Sequence, residues 1–144
     1  MIRLHTSFVL GYHGCNAEVG ERCLLGEPLV GSDQEYDWLG PGIYFWESDP
    51  LRAWEWAEEK VQRGKFGKAF VIGAVIDLGN CLDLMSRESL ELLKKAHRSL
   101  FIASQSDENY PPLPYNRNAG ERDKDKLFRF LDCAVIKHFH GTLE

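Results

Sequence analysis

The chain has 144 residues, of which 44% are hydrophobic and 27% charged, and 17 Lys and Arg against 22 Asp and Glu leave a net charge of −5. That length fits one domain, 1–144, with a core covering roughly 68–70% of the surface the unfolded chain exposes, so neither disulfides nor a structural metal are required. The proportions exclude the disordered, collagen-like and coiled-coil classes. The acidic excess excludes a protein that holds nucleic acid mainly by neutralising phosphates, though not one that acts on it briefly.

No run of about 18 apolar residues is present, so no transmembrane helix is expected. The segment Met1–Ser7 lacks the apolar stretch and cleavage site of a signal peptide. Cys15, Cys23, Cys81 and Cys133 are scattered and form no Cys-x-x-Cys pair, which suits reduced thiols. Together these features predict a cytoplasmic protein with no membrane partner.

Phe8 to His13 reads as a buried strand, short and apolar, ended by Gly14. Asn16 can cap a helix from Ala17 to about Leu25, stopped by Gly26. Residues 26–42 form a loop rich in Gly, Pro and acids, carrying Tyr36 and Trp38 and closing on Gly40-Pro41-Gly42. Ile43-Tyr44-Phe45-Trp46 is β-branched and aromatic and predicts a second strand. Asp49 as N-cap and Pro50 at the first helical position then start a helix that runs to about Arg63, with Gly64 as its stop. On that helix Leu51, Trp54, Ala57 and Val61 share a face predicted to meet the core, and Trp56 lies nearly opposite Trp54.

Ala69 to Ile76 is apolar on both faces and predicts a central strand. A helix from Arg87 to about Ile102 follows, with Ser86 as N-cap, Glu88 and Glu91 early, and Lys94, Lys95 and Arg98 late, an order that suits the helix dipole. His97 falls on its apolar stripe with Leu90, Leu93 and Leu100 and reads as structural. Residues 104–122 show no periodicity and form a long loop. The last element, about Lys124 to His140, is an amphipathic helix with Leu127, Leu131, Ala134, Val135 and His138 on one side, stopped by Gly141. His138 and His140 are two apart, point away from each other and make a poor metal pair, so no metal site is expected. The fold class is α+β, with three strands legible.

The most informative residues are His13-Gly14 at a strand end and Gly42-Ile43-Tyr44-Phe45 about thirty residues on. A glycine after a strand histidine leaves room for a ligand to approach the backbone. Taken singly, a strand histidine is more often structural and an aromatic strand more often core. Cys15 could share the face of His13 as a thiol–imidazole pair, but neighbouring strand positions rarely give that geometry across a turn.

In combination, His13-Gly14, Gly40-Pro41-Gly42-Ile43-Tyr44-Phe45-Trp46 and Ser48-Asp49-Pro50-Leu51-Arg52-Ala53-Trp54-Glu55-Trp56-Ala57 resemble the NAD-binding core of ADP-ribosyltransferases. The closest class is the His-Tyr-Glu one of diphtheria-type toxins and poly-ADP-ribose polymerases, in a bacterial branch where Tyr-His-Gly-Cys and Asp-Trp-Leu-Gly-x-Gly-Ile-Tyr-Phe-Trp-Glu recur. The similarity covers roughly residues 8–77. It implies a split β-sheet core with flanking helices and NAD as substrate. It also implies that His13 bonds the 2′-hydroxyl of the nicotinamide-side ribose, that the Gly14 backbone pairs with the carboxamide, and that Tyr44 stacks on the nicotinamide ring, with Cys15 beside them. A second aromatic closes the other ring face in that family; the candidates here are Trp54 and Trp56, with Trp56 favoured because the helical wheel sends Trp54 to the core.

The family's glutamate sits on a late strand, and no strand is legible after residue 87. Glu88 and Glu91 suit the helix dipole, and Glu144 is the final residue. The chain therefore reads either as lacking its C-terminal strands, which would leave a sheet edge for another chain to cover, or as a compact variant. Three functions follow: ADP-ribose transfer to a protein or nucleic-acid acceptor by a bacterial toxin or defence effector, with an antitoxin or immunity partner; a non-catalytic NAD-fold or partner-binding module; or an NAD glycohydrolase. No stable nucleic-acid complex is expected.

Overall fold

The apolar run that begins at Phe8 forms a strand whose length is set by its neighbour. In a computed structural model, which describes residues 7–143, the elements in chain order are β1 (Phe8–Asn16), α1 (Ala17–Leu24), β2 (Trp46–Glu47), α2 (Pro50–Gln62), β3 (Ala69–Asp77), α3 (Arg87–Ser106) and α4 (Phe130–Gly141). The class is α+β, with one three-stranded antiparallel sheet among the described residues. Glu144 lies outside them, as does most of the N-terminal segment. No helix among them is long and apolar enough to cross a membrane. The chain divides into two units, one of the residues up to Gly31 with Ile43–Cys81, the other of Ser32–Gly42 with Leu82 onward.

In the first unit the strand order is β2-β1-β3, so the central strand is β1. The apolar run at 69–76 is an edge, contrary to the expectation from its composition, and Val75 is 69% exposed. β1 pairs with β3 from Phe8↔Asp77 to Asn16↔Ala69, which carries it past Gly14 to Asn16. Asn16 does not cap α1 with its side chain. Its Oδ1 instead accepts from the Gly67 and Lys68 amides at 3.2 and 3.4 Å, holding the entry to β3.

The two faces of β1 carry different helices. On one, Cys15 lies opposite Phe70, whose ring occupies the space a side chain at Gly20 of α1 would take. On the other, a Cβ at Gly14 would overlap the Ala53 carbonyl oxygen and press on Ala57 Cβ at 3.3 Å. Helix α2 therefore approaches β1 closely, through Ala53 and Ala57, both fully buried. Asp49 caps it as expected, accepting from the Arg52 amide at 2.9 Å. The predicted core stripe is corrected: Leu51 is 65% and Trp54 43% exposed, because the close approach selects small residues and turns the large ones outward.

The second unit packs α3 against α4. Ser86 caps α3 by accepting from the Ser89 amide at 3.1 Å. Its buried line is Ser89, Ala96 and Leu100, which leaves His97 exposed rather than on the apolar stripe. α4 starts at Phe130, six residues later than its periodicity suggests. Asp123 accepts from the Ala119, Asp125 and Leu127 amides, Lys126 adopts φ 52°, and Phe128 pairs with Arg117 in an isolated bridge, so 123–128 is a closed turn and Leu127 is exposed. Asn116 then serves the new helix start: its Oδ1 accepts from the Leu131 and Asp132 amides at 3.0 and 3.4 Å, and its amide donates to Asp132 at 2.9 Å. Tyr36, Phe128 and Phe130 form a ring cluster over which the Arg117 guanidinium lies.

Three substitutions check this packing. Gly14→Ala should cost about 2–3 kcal/mol in chemical denaturation, since the added methyl must push α2 off the sheet, whereas Gly120→Ala, whose Cβ meets nothing within 4 Å, should cost little. Asn116→Ala should cost about 1 kcal/mol through the loss of a cap, read in the same way.

Candidate functional site

The candidate NAD-contacting residues His13, Gly14, Cys15, Tyr44, Trp54 and Trp56 all lie in the first unit. His13 sits midway along the paired length of β1, opposite Ile72 and half-buried. Its Nδ1 stands 2.7 Å from the Tyr44 carbonyl oxygen, across 31 residues of sequence. A carbonyl oxygen only accepts, so Nδ1 carries the proton, and in the neutral ring Nε2 is left as an acceptor. The Phe45 ring packs against the imidazole, centroids 5.6 Å apart and tilted by 50°. Phe45 went unnoticed as a site residue in the sequence; its place next to Tyr44 in an aromatic run was the available signal.

The same bond accounts for the predicted strand at 43–46 being cut back to Trp46, with 43–45 outside it. β2 pairs with β1 only at Gly11↔Glu47 and Tyr12↔Trp46, and the Ser48 amide donates to the Leu10 carbonyl at 2.8 Å. Continuing that register would set Tyr44 opposite Gly14. The ladder stops first, and the Tyr44 carbonyl turns to the His13 side chain, a local side-chain bond competing with the sheet.

Gly14 is left in a particular position. The bonds Leu78 N to Ser7 O (3.1 Å) and Ala17 N to Lys68 O (2.9 Å) mark 7↔78 and 17↔68 as hydrogen-bonded pairs. By the alternation of an antiparallel ladder, odd residues of β1 bond to β3 and even ones face the β2 side. The N–H and C=O of Gly14 thus point to the β2 side, beyond the last β2 pair, and no described backbone group meets them. An unpaired N–H and C=O of one residue, side by side, make the complement of a primary carboxamide. The missing Cβ of Gly14 admits α2, not a ligand; its backbone edge is what is open.

The remaining candidates separate. Cys15 is buried at 4% exposure, on the α1 face. Burial pushes its thiol above the ordinary value, the Cys23 thiol adds to this, and a bond from the Gly20 backbone opposes it, so it is no thiolate nucleophile. Trp54 stands exposed on α2. Trp56 packs against Trp46 (5.8 Å) and Phe66 (5.9 Å), with the Lys60 ammonium 4.8 Å from its ring centre. Trp46 is opposite Tyr12 and so shares the α2 face with Gly14's hydrogens, whereas the His13 ring lies on the α1 face. The structure therefore brings together His13, Gly14, Tyr44 and Phe45, and sets Trp56 in a separate aromatic stack across the sheet.

No group of three His, Cys, Asp or Glu among the described residues could hold a metal ion. His138 in α4 meets the Ser99 hydroxyl at 3.0 Å, and His140 packs on Phe139. No known protein family, characterised protein or solved structure matches the chain.

The thiols give a direct check. Burial also raises Cys133, against the opposing charge of Lys137. The folded chain holds both thiol protons to higher pH than the unfolded chain, so their contribution to stability is complete below the ordinary thiol range and is lost as pH rises from that range through the raised folded-state values. Iodoacetamide at mildly alkaline pH should label exposed Cys81 readily and reach Cys15 and Cys133 only on unfolding, as peptide mapping would show.

Proposed function

We propose that the first unit binds NAD and cleaves its nicotinamide–ribose bond, transferring ADP-ribose to a macromolecular acceptor, as expected of an ADP-ribosyltransferase-like toxin or defence effector. The observation that carries this reading is the joint position of His13 and Gly14: an imidazole with its tautomer fixed by the Tyr44 carbonyl, next to a residue whose N–H and C=O are open on one side.

In this reading the Gly14 N–H donates to the carboxamide oxygen of nicotinamide and its C=O accepts from the carboxamide NH₂. Tyr44 lies along the ring, and His13 Nε2 accepts from the 2′-hydroxyl of the attached ribose. The C1′–N bond breaks with its electron pair passing to the pyridinium nitrogen, so nicotinamide leaves neutral and needs no general acid. The oxocarbenium-like C1′ is attacked by an O or N nucleophile of the acceptor, whose proton goes to solvent. Held in this way, the dinucleotide gains from positioning more than from acid–base chemistry. The carboxylate that would align the acceptor is unassigned; Glu88 lies in the first turn of α3, and Glu91 pairs with Lys94.

Incubation with NAD should release free nicotinamide, with His13→Ala and Tyr44→Ala each lowering the rate by about 10²-fold; Tyr44→Ala, which keeps the carbonyl that His13 bonds, should retain the thermal stability of the fold. Release unchanged by both substitutions would rule out this site. Neither release nor an NAD-induced thermal shift would leave a partner-binding module, and release without label on any macromolecule of a lysate would indicate a glycohydrolase.

A further inference from the structure

The ladder that exposes Gly14 also orients β3. Because 17↔68 and 7↔78 are hydrogen-bonded pairs and the register between β1 and β3 is unbroken, Phe70, Ile72, Ala74 and Ile76 turn their backbone groups toward β1. Ala69, Val71, Gly73 and Val75 turn theirs away, and no strand lies beside them among the described residues. Sheet edges of this length are ordinarily blunted by Lys, Pro or a bulge. From Ala69 to Ile76 the strand has none: its residues are Ala-Phe-Val-Ile-Gly-Ala-Val-Ile, and the register shows no extra residue.

We propose that this edge pairs with the same edge of a second copy of the chain, β3 antiparallel to β3 about a twofold axis midway between the two Gly73 residues. An antiparallel pair related by a twofold keeps equivalent faces on the same side, so bonded partners must both belong to the outward set. Centring on Gly73 meets that condition over the whole strand. Val71 of each copy falls opposite Val75 of the other, and Gly73 falls opposite Gly73. Every outward N–H and C=O of Val71, Gly73 and Val75 then finds a partner.

Side chains and charge agree with this register. Val75 is 69% exposed and lies on the same face as its neighbours Leu10 (51%) and Phe8 (64%). The second copy sets Val71 against Val75 on that face, an apolar cross-strand pair of the kind that stabilises sheets. Antiparallel pairing also brings the cationic entry of each strand, Lys65 and Lys68, to the end of the other that carries Asp77. A parallel pairing would set like charges side by side. The proposal is independent of NAD chemistry, because Val71, Gly73 and Val75 take no part in the His13–Gly14 edge.

An edge pairing of one strand sits at the small end of stable interfaces, so the dimer should depend on concentration. Sedimentation velocity of the full chain from about 5 to about 500 µM should show a monomer–dimer equilibrium. Val75→Lys places a charge at an exposed edge position, and Val75→Pro removes an outward N–H that β1 does not use; each should weaken the dimer by about tenfold or more. Amide exchange gives the second reading: Val71, Gly73 and Val75 should become protected as concentration rises, while Ile72 and Ala74 stay protected throughout. A monomer at the highest concentration, or a dimer indifferent to both substitutions, would overturn the proposal. So would outward amides protected equally at all concentrations in a monomer, which would mean that a segment of the same chain covers the edge.

Discussion

The hydrogen bond from His13 Nδ1 to the Tyr44 carbonyl is the constraint on which the first unit turns. It ties two segments thirty residues apart, fixes the imidazole tautomer and takes from the ladder the carbonyl that would have continued β2 beside Gly14. Without it, 43–45 could zip onto β1 and cover the Gly14 edge. A chemically useful opening in a sheet costs unsatisfied backbone groups, and here a side chain offsets part of that cost by bonding one of them. The site is thus a place where sheet pairing has been interrupted, and the interruption is written in the residue beside the glycine.

The second constraint is steric. Gly14 faces α2 with its hydrogens and the β2 side with its peptide groups, so one residue serves both packing and the open edge. Ala53 and Ala57 match it on the helix, and their small size brings the α2 backbone against the strand. β1 is the central strand by its pairing with β2 and β3, and with a helix packed on each face it holds His13 and Gly14 in a constant relation. The cost is that larger apolar groups, Leu51 and Trp54, are displaced to the surface.

Much of this was legible in the sequence. Hydrophobic runs and caps placed β1, α1, α2, β3 and α3 to within a few residues, since Asp49-Pro50 and Ser86 are local signals that tertiary contacts did not override. What could not be read depended on partners distant in sequence. Composition alone made 69–76 look central, although its burial comes from helices on its faces and not from a strand on each side. The helical wheel sent Trp54 inward because it weighs apolarity, whereas the glycine opposite demands small residues. Periodicity starts the last helix near Lys124 because the amide-gathering role of Asp123 is invisible to it. His13, Gly14 and Tyr44 were recognised as a set, but the role of the Tyr44 carbonyl, as distinct from its ring, emerges only from the geometry. The two-unit division was not legible, since Ser32–Gly42 joins Leu82 onward across the intervening Ile43–Cys81.

The most direct test of the central claim, that the open Gly14 edge receives the nicotinamide carboxamide beside a tautomer-fixed His13, is a titration of isotope-labelled protein with NAD followed by nitrogen–proton correlation spectra. The Gly14 amide should shift as it gains an acceptor, and His13 should keep its proton on Nδ1 while its Nε2 resonance moves. A Gly14 amide and a His13 ring that remain unchanged at saturating NAD, or a free-state His13 that carries its proton on Nε2, would contradict it.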